Sequence, residues 1–304
     1  MSLDTDALID RRRLKRRLTL WRILAVLALL AAALAALSRT SQVPWQKAHI
    51  ARLDVDGLIA EDRDRDEVLR RIARDASARA LIVHINSPGG TVVGGENLYR
   101  GLRQVAERKP VVAVMGTLAT SGGYMTAIGA DHILARSGSI TGSIGVILQT
   151  TDVTGLLEKL GVSTEAIKSG PLKAVPNPLE PLTEEGREAT RAVVMDMYDL
   201  FVDMVAERRR LPRDVVLRLA DGRVYSGRQA NENRLIDGLG GEPEARDWLA
   251  SQHGIARTVP VRRVKVDRPD DGFFRMGQRL LGKTLFSERL TLDGLVSLWH
   301  PDLR

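Results

Sequence analysis

Two units of the same design follow one another in this chain and limit what it can fold into. The apolar run Ala80-Leu81-Ile82-Val83-His84-Ile85 ends in Asn86-Ser87-Pro88-Gly89-Gly90 and leads into a helical pattern from about Val92 to Glu107. Directly afterwards, Val111-Val112-Ala113-Val114-Met115 runs into Thr120-Ser121-Gly122-Gly123-Tyr124, which opens another helix. A short continuous apolar run bounded by turn residues marks a strand buried on both faces. Strand, glycine-rich turn and helix in succession therefore predict an α/β fold of parallel βαβ units, with functional loops at the carboxyl ends of the strands.

The remaining pattern fits that frame. His49 to Gly57 alternates like a strand, and about Glu61 to Ala76 is helical around Val68, Leu69 and Ile72. Ile133-Leu134-Ala135 and Ile144 to Leu148 read as further strands around Ser139-Ile140-Thr141-Gly142-Ser143. A helix near Val153 to Leu160 and a strand near Val162 to Ile167 precede a break at Pro176, Pro178 and Pro181. Thr183-Glu184-Glu185 then caps a long helix reaching about Arg210. Its apolar positions Val193, Val194, Met197, Leu200, Phe201 and Met204 suit a core face or a subunit interface.

The net charge of +7 does not imply a nucleic-acid partner, because Arg11, Arg12, Arg13, Lys15, Arg16, Arg17 and Arg22 cluster before the apolar stretch Ile23 to Leu37. Counted from Leu18 to Leu37, with Arg22 snorkelling, the stretch reaches the roughly 20 residues a bilayer span needs. It reads as an uncleaved signal anchor; Ala33-Leu34-Ala35 leaves a cleavable signal peptide as the competing reading. The basic flank stays cytoplasmic under the positive-inside rule, which places the rest beyond the cytoplasmic membrane. With no cysteine there is no disulfide, thiolate nucleophile or zinc-cysteine site. His49, His84, His132, His253 and His300 show no metal-ligand spacing, so neither metal nor cofactor is expected.

Ser121, at the exit of a buried strand and flanked by glycines, sits where a nucleophile would be exposed on a sharp turn with backbone amides around it. In chain order the candidates are the Pro88-Gly89-Gly90 loop, Ser121, Thr141-Gly142-Ser143-Ile144-Gly145-Val146, and Ser169-Gly170-Pro171-Leu172-Lys173. With Asp221-Gly222-Arg223-Val224-Tyr225-Ser226-Gly227-Arg228-Gln229-Ala230, these segments resemble the short bacterial form of signal peptide peptidase A, in peptidase family S49, from about His49 to Arg246.

The resemblance implies a ClpP/crotonase-like spiral fold behind one transmembrane helix, with Ser121 as nucleophile and Lys173, 52 residues later in an S-G-x-x-K motif, as base. Ala174 departs from the aspartate common after this lysine, and Lys168 is the nearby rival. A lysine base must be neutral, which requires desolvation or neighbouring positive charge. The oxyanion is expected at the amides of Gly122 and Gly90, the latter preferred to Gly89, with Ser143 orienting the lysine amine. The implied substrates are remnant signal peptides and other short or unfolded peptides. The implied assembly is a membrane-bound ring of eight chains, in which serine and lysine of one site come from neighbouring chains.

The expected organisation is a basic cytoplasmic segment over 1–17, a transmembrane anchor over 18–37, a linker over 38–48, the protease domain over 49–250 and an extension over 251–304. In the extension, Phe273, Phe274, Leu280, Leu281, Leu285 and Phe286 lie among Arg275, Arg279 and Lys283, as in an inter-subunit clasp or an amphipathic surface helix. Three rivals remain: an acyl-CoA enzyme on the same scaffold, a membrane-associated peptide-binding scaffold without catalysis, and the related inner-membrane protease SohB.

Overall fold

The computed structural model describes residues 21–30 and 48–266, together with the backbone of 295–298. Residues 21–30 form a helix, α1, with Trp21, Ile23, Leu24, Val26, Leu27, Leu29 and Leu30 exposed. Among the described residues no helix is long and apolar enough to cross a membrane. The rest of the expected anchor over 18–37 lies outside the described residues, as do the basic segment and nearly all of the linker.

From Ala48 onward the chain forms a separate compact unit. Strand β1 (His49–Asp56), helix α2 (Arg63–Arg74), strand β2 (Ala78–Ser87), the short strand β3 (Gly89–Thr91), helix α3 (Val92–Ala106), strand β4 (Val111–Thr120) and helix α4 (Gly122–Ala127) deliver the two anticipated units. They are followed by β5 (His132–Ala135), β6 (Ile140–Gly142), β7 (Ile147–Leu148), α5 (Thr154–Lys159), α6 (Glu184–Arg209), α7 (Arg213–Leu219), β8 (Val224–Ser226), α8 (Gly227–Glu232), β9 (Gly238–Leu239), α9 (Glu242–His253), β10 (Val261–Arg263) and β11 (Leu295–Leu298).

The main sheet runs β10-β1-β2-β4-β5-β9, all pairs parallel. Strand β4 takes two partners in turn: β5 along Val112 to Met115, then β6 along Leu118 to Thr120. Strand β8 closes the far side of β6 as an antiparallel partner. One face of the sheet buries Leu53, Val55, Leu81, Val83, Ala113 and Met115 in the larger core. The other buries Ile50, Ala80, Ile82, Val112, Val114 and Leu134 against Ala245 and Leu249 of α9. Double-sided burial is why β2 and β4 read as continuous apolar runs rather than alternating ones.

The structure departs from the sequence reading in several places. Val162 to Ile167 forms no strand, and Ile167 is 98% exposed: a branched, alternating segment builds no ladder without a partner edge. Of Ile144 to Leu148 only β7 is a strand, while Ile140–Gly142, between the two expected strands, is strand β6. The expected boundary at 250 falls inside α9, and β10 extends the sheet beside β1. Helix α6 begins as expected, the Thr183 hydroxyl accepting from the Gly186 amide at 3.1 Å. Its apolar positions divide: Phe201 and Met204 are buried, Val194 and Met197 half-buried, and Val193 and Leu200 exposed. The Phe273 to Phe286 segment lies outside the described residues.

Candidate active site

Three loops meet because three strands end side by side. In the parallel register Ser87 of β2 faces Ala119 of β4, and Thr120 of β4 faces Gly142 of β6. The Pro88-Gly89-Gly90 loop, Ser121 and Ser143 therefore leave adjacent strands at their carboxyl ends, where open parallel sheets hold their ligands. Hydrogen bonds fix the loops to one another. The Ser121 amide donates to Gly142 O at 2.8 Å, the Ser143 amide to Arg223 O at 2.8 Å, and the Thr120 hydroxyl to Pro88 O at 3.2 Å.

Ser121 is held in a costly conformation. Its backbone has φ 55° and ψ −118°, outside the regions open to ordinary residues, and the residue is 1% exposed. Such a conformation costs on the order of 1–3 kcal/mol and survives only where the surroundings over-determine it. Here they are the β4–β6 pairing on one side and α4 on the other, whose first turn closes by Met125 N–H donating to Ser121 O at 2.9 Å. Helix α4 lies tight against α3: a Cβ on Gly95 would meet Met125 Sδ at 3.1 Å and Gly122 Cα at 3.4 Å. Ser143 also has positive φ, 50°, and is 8% exposed.

The glycine pair divides its labour. The Gly89 amide donates to Ser87 Oγ at 3.0 Å, and Gly89 O accepts from the Ile59 amide at 2.9 Å. The Thr91 amide reaches Ile59 O at 2.9 Å. Since N–H and C=O of one strand residue point to the same side and alternate with their neighbours, both polar groups of Gly90 face away from Ile59. A side chain at Gly90 is excluded, because its Cβ would lie 1.7 Å from Ile59 O. Sequence alone preferred Gly90 to Gly89; the Ser87 hydroxyl, which the sequence reading passed over, engages the Gly89 amide.

Lys173 lies in the segment between α5 and α6. It is exposed, in a turn where its amide donates to Gly170 O at 3.2 Å, and it lines a cavity of about 490 Å³ with Thr164, Ile167, Ser169, Asn177 and Glu180. Ser121 is not among the residues of that cavity. The expected desolvation of the Lys173 amine is thus not met within one chain. Lys168 is engaged in an ion pair with Glu180. Lys109 has its amine on the carbonyls of Ile72, Asp75 and Ala78 at 2.6–2.9 Å, a structural arrangement that burial accompanies with a lowered pKa.

Three of the described histidines lie elsewhere in the sheet. His132 pairs with Val112 at the opposite end of β4, roughly 30 Å of strand away from Ser121. His84 pairs with Val114 in mid-sheet, and His49 lies beside Asp75. Among the described residues no group of acidic, histidine or cysteine side chains is arranged to hold a metal ion.

The Asp221 to Ala230 segment positions the site from behind. Thr141 faces Tyr225 in the antiparallel β6–β8 pair, and the Tyr225 hydroxyl donates to Leu219 O at 2.9 Å. Ser226 and Gln229 form a reciprocal capping box at α8. Tyr124, fully buried, donates to Leu235 O at 2.8 Å, and burial raises its pKa strongly.

Known proteins share this chain's sequence across the site. A putative protease of Synechocystis is 44% identical over 208 residues, covering 68% of this chain and 75% of the relative. A putative signal peptide peptidase SppA of Enterococcus faecium is 35% identical over 226 residues, covering 70% and 66%. Protease 4 of Haemophilus influenzae is 32% identical over 206 residues, which cover 64% of this chain but only 33% of that longer protein. Among solved structures, a mutant ClpP1 from Listeria monocytogenes superposes with a TM-score of 0.40 at 14% identity, covering 62% of this chain and 91% of the other. The model of peptidase family S49 matches residues 103–256, which include Ser121, Ser143 and Lys173. On these matches the chain belongs to peptidase family S49.

Proposed function

We propose that this peptidase is a membrane-anchored serine endopeptidase with a Ser121/Lys173 dyad, acting on remnant signal peptides and other short or unfolded peptides beyond the cytoplasmic membrane. The observation that carries the reading is the strained, loop-enclosed backbone of Ser121 at the carboxyl end of β4. Nothing in the packing of α4 alone calls for that strain, whereas a nucleophile must be presented at a fixed angle to its substrate.

Ser121 Oγ attacks the peptide carbonyl while neutral Lys173 accepts its proton and returns one to the leaving amine; water then hydrolyses the acyl-enzyme by the same route. The amide of Gly122 and that of Gly90, the one the loop leaves facing outward, hold the oxyanion. Ser143, at the end of the strand beside Ser121, orients the amine. The exposure of Lys173 in one chain is understandable if a neighbouring copy covers it, because packing against another surface supplies the desolvation a lysine base needs. A ring of copies, as the resemblance to signal peptide peptidase A implies, brings Lys173 of one chain to Ser121 of the next. The exposed apolar residues of 21–30 suit a membrane anchor.

The test is hydrolysis of a blocked apolar peptide patterned on a signal sequence, by the full chain in detergent. Ser121→Ala and Lys173→Ala should each lose at least about 10⁴-fold in kcat while keeping the oligomeric state of the parent. Full activity without Ser121 would remove it as nucleophile, and activity lost only on Lys168→Ala would transfer the base to Lys168.

A further inference from the structure

The amino ends of the sheet carry a cleft of their own. It measures about 430 Å³ and takes its walls from three connections. The turn from α2 to β2 supplies Arg74, Asp75 and Arg79, the turn from α3 to β4 supplies Arg108 and Lys109, and the end of α9 supplies His253. β2 begins at Ala78 and β4 at Val111, whereas Ser121 and the Pro88-Gly89-Gly90 loop follow the carboxyl ends of the same strands. The cleft is therefore separate from the candidate active site.

Four cations line this space with one carboxylate, and the structural uses for positive charge are already met. A helix ends in unpaired carbonyls that attract cations. At the end of α2 Lys109 takes that part, donating to Ile72 O, Asp75 O and Ala78 O at 2.6–2.9 Å. Asp75 is engaged within its own turn: its Oδ1 accepts from the Ser77 amide at 2.8 Å and the Ser77 hydroxyl at 2.7 Å, and its Oδ2 lies 4.0 Å from His49 Nε2. Arg74, Arg79 and Arg108 are exposed and have no hydrogen-bond or ion-pair partner among the described residues. Burial lowers the pKa of Lys109 against the attraction of Asp75, and the like charge of Arg108 adds to the lowering. Positive charge is thus in excess in the cleft, and a concave wall of one sign focuses its field and concentrates counter-ions.

We infer that this cleft binds a terminal phosphate group through the guanidinium groups of Arg74, Arg79 and Arg108. A guanidinium presents its N–H groups as a planar fork that pairs bidentately with phosphate oxygens. A terminal phosphate carries about −1.5 to −2 charges and three acceptor oxygens, which suit several forks at once, whereas a carboxylate offers two oxygens and a single charge. The group can belong to a soluble ester or to a lipid such as phosphatidic acid, since the recognition chemistry is the same. The inference depends neither on Ser121 and Lys173 nor on proteolysis.

Calorimetric titration of the full chain in a nonionic detergent, at constant ionic strength, tests this and separates the two sources. The probes are inorganic phosphate and micelles doped with phosphatidic acid, with micelles doped with phosphatidylcholine as the blank. Saturable binding of inorganic phosphate marks a site that the free group can fill, and binding of phosphatidic acid alone marks a lipid site; either supports the inference. In both cases Arg79→Gln and Arg108→Gln, exposed positions whose variants should keep the circular dichroism of the parent, should each weaken binding about tenfold or more. Arg63→Gln and Arg191→Gln remove the same charge at exposed positions outside the cleft and should leave binding unaltered. No saturable binding of either probe overturns the inference. Equal weakening by all four variants also overturns it, because that would report net charge rather than a site.

Discussion

At the scale of single residues, backbone strain falls on the proposed nucleophile Ser121, and experiment can separate the two. A glycine adopts φ 55° without penalty, whereas alanine keeps the Cβ and hence the strain. Ser121→Gly should therefore raise the stability of the folded chain by about 1 kcal/mol relative to Ser121→Ala, read as a higher urea midpoint, while both are inactive. Equal midpoints would mean that the conformation stores no strain. The strand-exit position of Ser121 was legible in the sequence because an unbroken apolar run ends shortly before it and two glycines follow it. The preference for Gly90 over Gly89 was legible only as a guess: it depends on Ser87 Oγ taking the Gly89 amide and on Ile59 crossing behind the loop. Neither contact leaves a periodic signature. Lys173 was proposed from its motif, and its environment was not legible, since burial of a side chain in an exposed turn depends on what packs over it.

At the scale of elements, sequence revealed the strands that are buried on both faces and missed those that depend on a distant partner. β2 and β4 announce themselves by unbroken apolar runs, as α6 does by Thr183 and its acidic first turn. β10 carries two arginines in three residues, with Arg263 paired to Asp54, and β11 draws its strand character from edges some 150 to 200 residues earlier. Val162 to Ile167 shows the converse, a strand-like pattern with no edge to join. The β5 end of the sheet carries a pH sensitivity that has nothing to do with catalysis. Burial lowers the pKa of His132, against the attraction of Asp237 at 3.9 Å and together with the repulsion of Arg209, and the ring stacks on Trp248 at 4.7 Å. A histidine whose folded pKa is depressed contributes stability that is complete above its unfolded value. That contribution is lost as pH falls below about 6.5, where the unfolded chain takes up the proton first. His132→Phe keeps an aromatic ring on Trp248 and removes the proton site, so its melting temperature should fall less than that of the parent between about pH 7 and pH 5. Parallel declines would show that His132 does not carry this slope.

At the scale of the whole molecule, the proposed dyad joins a buried serine to a lysine that is exposed in one chain. Ser121, Gly90 and Ser143 are fixed by strand register, whereas Lys173 is exposed in a turn closed by its own amide on Gly170 O. A head-to-tail ring can reconcile these facts, because a heterologous interface places a different surface of the next copy against each one. Mixing is the decisive comparison. Ser121→Ala and Lys173→Ala chains, each inactive alone, should regain activity when dissociated together and allowed to reassemble, since every junction that brings an intact Ser121 to an intact Lys173 restores a working site. For random equal mixing in a ring where each site draws one residue from each of two neighbours, about a quarter of the sites are restored. A dyad formed within one chain regains nothing under the same treatment, whatever the ring size, because no chain in the mixture carries both residues.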